Sequence, residues 1–140
     1  MFDDYYEKPY WVIDILPEQV PEGGEGQFFS IERYYLQQPK RSELQRMFLD
    51  CLLKLNCYYD FQVWSEHHNY YEKNPSPDLL EEWMMKQEES LHIVLPSADC
   101  LIETRPDDLY MTVYNPDEKL MRLVQKIAMA KGLFVWNPKQ

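Results

Sequence analysis

Apolar side chains at Leu44, Met47, Phe48, Cys51, Leu52 and Leu55 recur at steps of three and four residues. That spacing stacks them on one face of a helix over residues 40–56. Ser42, with Gln45 three residues on, suits its start, and Asn56 its end. The same period returns near the C-terminus, where Leu120, Leu123, Val124 and Ile127 form an inward stripe. Asn115 is placed to cap this helix, Pro116 to take its first position and Glu118 to reach back, while Gly132 ends it. A third helix starts at Ser76 and Pro77, with Leu79, Leu80, Trp83 and Met84 as its apolar side.

Elsewhere the period shortens to two, or the apolar run is continuous. YWVIDIL (10–16), ended by Pro17, reads as a buried strand. CYYDFQVW (57–64) alternates, with Tyr59, Phe61 and Val63 on one face and Asp60 and Gln62 on the other. LHIVL (91–95), CLIET (100–104) and LYMTVY (109–114) are three strands separated by the short turns PSAD and RPDD, an antiparallel meander. LFVW (133–136) is a last strand. Joined to 109–114 by the C-terminal helix, it predicts a right-handed crossover with those two strands parallel. FFSIERYYL (28–36) fits either period and is assigned to a strand or a short helical turn. Residues of about 17–27, with three of the four glycines, are a flexible loop. These elements predict a single α+β domain over residues 1–140. Its sheet is mixed but mainly antiparallel, helices pack on one face, and a strand–helix–strand unit closes the chain.

Length and composition agree with one packed domain: 140 residues, 45% hydrophobic and 15% aromatic, with eleven tyrosines. The formal net charge of −10 is spread over both halves and speaks against nucleic-acid and anionic-membrane partners. No stretch approaches the ~18 apolar residues of a membrane helix. Three cysteines without a pairing motif, and an acidic aromatic start unlike a signal peptide, point to a reducing cytoplasm.

WSEHHNYYEK (64–73) looks most like chemistry, yet reads better as a polar loop or contact surface. Adjacent His67 and His68 diverge on either a strand or a helix, so no metal site is expected there, and no cofactor elsewhere. EGGEGQ lacks the spacing of a nucleotide loop, and its glutamates repel phosphate. Cys51 falls on a helix's apolar face, while Cys57 and Cys100 fall in expected strands. None has the surroundings of a nucleophile. The paired acids Glu81–Glu82, Glu88–Glu89 and Asp107–Asp108 mark solvated faces. Asp14 differs: it interrupts an apolar run, where a charge is costly unless paired, and is the carboxylate to inspect for a perturbed pKa. The bland account is an edge-strand charge or a structural ion pair.

The closing stretch VYNPDEKLMRLVQKIAMAKGLFVWNP (113–138), on a small acidic α+β chain, resembles in style the immunity proteins that bacteria keep against polymorphic toxins. The resemblance covers about the last 30 residues and carries over no catalytic or binding residue. It implies a non-catalytic module that binds a protein, as an inhibitor of a basic toxin or enzyme. Charge and aromatics agree with a basic protein partner. The expected contact surface is Tyr5 and Tyr6, beside Asp3 and Asp4, with Glu66, Tyr70, Tyr71 and Glu72. The alternative is a small-molecule-binding domain or enzyme whose aromatics line a pocket.

Overall fold

The computed structural model describes residues 1–65, 71–86 and 88–138. In chain order the described elements are α1 (Asp3–Tyr6), β1 (Tyr10–Asp14), α2 (Phe28–Tyr35), α3 (Lys40–Asn56), β2 (Gln62–Ser65) and β3 (Tyr71–Lys73). Then come α4 (Pro77–Lys86), β4 (Leu91–Leu95), a 3-10 turn (Pro96–Ala98), β5 (Cys100–Thr104), β6 (Tyr110–Tyr114), α5 (Glu118–Ala130) and β7 (Phe134–Trp136). The α+β class is the one expected.

The strands form one sheet in the order β3-β2-β4-β5-β6-β1-β7. The meander is present, its register set by Ile93 opposite Ile102 and Ile102 opposite Val113. β6 and β7 do run the same way, because both pair antiparallel with β1. They are not neighbours, however: β1 occupies the gap that α5 spans. The mixed sheet anticipated from the crossover is therefore antiparallel at every neighbouring pair among the described strands.

Alternation sorts the side chains. Ile13, Val63, Ile93, Ile102, Met111 and Val113 point to one side, where α3, α4 and α5 contribute Phe48, Leu52, Leu80, Trp83, Leu120 and Val124 to one buried cluster. Val12, Asp14, His92, Glu103 and Thr112 belong to the opposite face. That face is not free of helices, contrary to expectation. The short helix α1 lies across β2, β4 and β5, with Phe2 stacked on His92 at 4.4 Å and Trp64 5.8 Å away. The remainder, over β6, β1 and β7, meets the segment joining β1 to α2.

Several local expectations shift. Residues 28–35 take the helical form of the two left open: Ile31 N–H donates to the Gln27 carbonyl at 2.9 Å, Phe29 and Tyr34 are exposed, and Tyr35 packs against the core. The strand expected over 57–64 begins only at Gln62, since Cys57 ends α3 and is exposed. Part of the expected 64–73 loop pairs as the edge strand β3. Ser76 caps α4 as anticipated, its Oγ accepting from Leu79 N–H at 3.1 Å. At α5 the cap is Asp117, which accepts from Leu120 N–H at 2.8 Å. Asn115 instead takes a left-handed turn, φ 62°, and its side chain donates to the Asp99 carbonyl. None of the helices among the described residues is long and apolar enough to cross a membrane.

Candidate functional site

Between the open face of β5, β6, β1 and β7 and the segment running from Leu16 into α2 lies a cleft of about 940 Å3. Its floor follows from strand alternation. Tyr110, Thr112 and Tyr114 of β6 are the partners of Met111 and Val113 that point away from the core, and Val12 and Asp14 of β1 do the same beside Ile13. Tyr6 and Tyr10 close one end, their rings 5.2 and 5.6 Å from that of Tyr114. Phe28, Phe29 and Glu32 enter from α2, and Trp136 from β7. Gly23 and Gly26 turn the covering segment with φ of 68° and 125°, which residues bearing a Cβ rarely adopt.

The cleft's charge is one-sided. Seven carboxylates line it, against the single guanidinium of Arg105 among the described residues. That cation is already engaged: Arg105 Nε donates to Glu103 at 2.7 Å. Glu103 is the junction of a network, since its other oxygen accepts from Tyr6 at 2.5 Å and from His92 Nε2 at 2.9 Å. Burial pushes its pKa up, but the hydrogen bonds from His92, Tyr6 and Arg105 outweigh burial and hold it at about 2. Tyr6 answers in the other direction, raised by burial and by its bond to this carboxylate.

Asp14 has a different setting. It is only 6% exposed. Across β6 its direct neighbour is Tyr110, and across β7 it is Phe134. Backbone N–H groups of Leu16 and Ile15 favour its charge, yet burial dominates and raises its pKa. The Trp136 indole N–H approaches the carboxylate closely enough to favour its charge but falls short of hydrogen-bond geometry, and it has no other partner among the described residues. No cationic group among them acts on Asp14. Both bland accounts fail: β1 is flanked on each side, so Asp14 is not on an edge, and it forms no structural ion pair with a described residue.

The described members of the expected contact set lie on α1 and β3, with Tyr5 near enough to Tyr71 for the two to interact electrostatically. Tyr6 lines the cleft. Tyr5 donates to Asp99 at 3.0 Å, and burial followed by that bond raises its pKa to about 12. Tyr71 and Glu72 lie on β3, the sheet edge opposite to β7, and alternate to opposite faces. Glu66 and Tyr70, with His67 and His68, lie outside the described residues. Burial pushes the Cys51 and Cys100 thiols up to about 11 and 12, so both are packing groups. No group of three or more metal-ligating side chains is assembled among the described residues.

Arg105, Glu103, Tyr110, Tyr114 and Trp136 were not singled out by sequence. One signal existed for Glu103: like Asp14, it interrupts an apolar run, CLIET. Nothing local announced the aromatics as cleft residues, because they belong to two strands far apart in sequence, β6 and β7. Comparison with protein-family models, with curated proteins and with solved structures found no match to this chain.

Proposed function

We propose that this chain is a non-catalytic binding module that receives a basic segment of a protein partner on the open face of its sheet. The observation that carries this reading is the charge of the cleft: among the described residues, seven carboxylates with one guanidinium, itself bound to Glu103. Such a concavity attracts cations from a distance and offers aromatic area once they arrive. The non-catalytic part rests on Glu103, the most strongly shifted carboxylate, whose oxygens are occupied by three donors and whose pKa lies far from neutrality. An inhibitor of a basic toxin or enzyme, working in the cytoplasm, is the finer form of the proposal.

A second reading is favoured by the cleft's size. About 940 Å3 falls at the upper end of small-ligand sites, commonly about 300–1,000 Å3. A small-molecule-binding domain therefore stands as the alternative.

Affinity capture of the partner, followed by binding measurements with variants, tests the first reading. Glu22→Lys and Glu32→Lys change the cleft lining and should weaken binding, whereas Glu118→Lys, on a 96% exposed side chain of α5, should not. An acidic partner, or equal losses from all three variants, refutes it.

A further inference from the structure

Asp14 is a buried carboxylate to which the fold gives backbone donors, Leu16 and Ile15, but no counter-charge among the described residues. It ends β1, one strand in from the sheet edge, its exposure is 6%, and its charge meets no cation among the described residues. A buried carboxylate without a counter-charge costs stability, and such groups collect at sites where a ligand completes them. The ligand's chemistry is constrained by what surrounds the carboxylate. Tyr110 and Phe134 stand directly opposite it on the two flanking strands, and Trp136 lies one pleat along, opposite Val12. The open volume above is continuous with the acidic lining.

Two biological cations could answer a carboxylate in this setting. An ammonium is compact and strongly hydrated, and loses its water at high cost. A guanidinium is planar and weakly hydrated, stacks on aromatic faces, and donates to both oxygens of a carboxylate at once. A site that is nine-tenths buried and walled by rings selects the second. Arg105, the one guanidinium lining the cleft among the described residues, is engaged by Glu103. It leaves Asp14 for an incoming group.

We infer that the cleft is a guanidinium site, in which Asp14 pairs with an arginine side chain of the partner between the rings of Tyr110 and Trp136. This deepens the reading above and rests on it for the source of the arginine.

The test uses the full chain and three probes: a capped Gly-Arg-Gly peptide, its lysine counterpart, and n-propylguanidinium. Binding is followed by two-dimensional NMR and calorimetry. The arginine peptide should bind saturably, shifting the Trp136 indole and Tyr110 amide signals, and the lysine peptide should bind about threefold or more weaker. Asp14→Asn should lose about tenfold or more in affinity for the arginine peptide. Asp107→Asn removes the same charge from an exposed turn outside the cleft and should change little. Should Asp14→Asn not fold, Tyr110→Ala keeps the carboxylate, removes one wall, and should weaken arginine more than lysine. Equal binding of the two peptides, or equal effects of Asp14→Asn and Asp107→Asn, overturns the inference. The larger reading fails separately. If propylguanidinium binds at Asp14 while both peptides are excluded, the guanidinium site stands and the protein partner does not. If the captured partner needs Glu22 and Glu32 but is indifferent to Asp14→Asn, the module stands and the arginine site does not.

Discussion

Two buried carboxylates on one sheet face have opposite fates, and their pKa shifts give opposite pH signatures. Glu103 is held at about 2 against an ordinary 4.5. Its stabilisation is therefore complete above pH 4.5 and is lost as pH falls through 2, a swing of about 3 kcal/mol at most. Glu103→Gln should flatten the acid limb of stability, as denaturant titrations at a series of pH values would register. A variant as acid-sensitive as the wild type would place the swing elsewhere. Asp14 is shifted upward by burial, so its ionised form weighs against folding, and the penalty sets in as pH rises above the ordinary carboxylate range. Asp14→Asn should accordingly raise stability at neutral pH by about 0.5–1 kcal/mol while impairing binding, the trade expected of a functional group. A clear loss of stability would mark Asp14 as structural. Asp14 was legible in the sequence because a charge inside YWVIDIL violates the local pattern. Its isolation was not, since the absence of a nearby cation among the described residues depends on how β6 and β7 fold against β1.

Elements with a strong period were readable, and those whose form depends on distant contacts were not. α3, α4, α5 and the β4–β5–β6 meander follow from spacing and turn residues alone. α1 has four residues and no apolar stripe. What holds it is tertiary: Phe2 against His92 and Trp64, Tyr5 to Asp99, and Tyr6 to Glu103. The position of β1 between β6 and β7 is likewise a long-range outcome that no window reveals. The core helices make a quantitative prediction. Leu52 is 1% exposed, and with Ile127 it lines a void of only about 10 Å3 between α3, α5 and the sheet. Leu52→Ala should cost about 3–5 kcal/mol, and Ile127→Ala, only partly buried, about 1–2 kcal/mol. Chemical denaturation measures both, and losses below about 0.5 kcal/mol would contradict the packing. For α1 the expectation differs in kind. Phe2→Ala should undock a terminal turn, shifting tryptophan emission while lowering global stability by less than about 1 kcal/mol. A loss of about 3–5 kcal/mol, as for an interior phenylalanine, would make α1 part of the cooperative core.

Across the whole molecule, the net charge of −10 has no acidic tail behind it, and the cleft concentrates part of that field. Long-range attraction and close contact should therefore separate in the kinetics of partner binding. Raising salt from about 0.1 to 1 M shortens the Debye length from about 10 to about 3 Å, which screens steering and spares buried contacts. Association should slow steeply over that range while dissociation changes little. The two kinds of residue divide accordingly. Glu22 and Glu25, on the segment covering the cleft, act at a distance, so neutralising them should lower the association rate. Tyr6 and Tyr110, on the cleft's aromatic lining, act after contact, so truncating them should raise the dissociation rate. The aromatic and acidic character of this surface was legible from composition. Its location was legible only at Tyr6: the sequence pointed to the chain's start and to the 64–73 stretch, whereas the fold brings aromatics from β1, β6 and β7 together on the side of the sheet away from β3. Surface plasmon resonance over a salt series, with these four variants, decides between steering and incidental acidity. Association rates indifferent to salt would reduce the charge to a solubility feature and leave the aromatic cleft to a small neutral ligand.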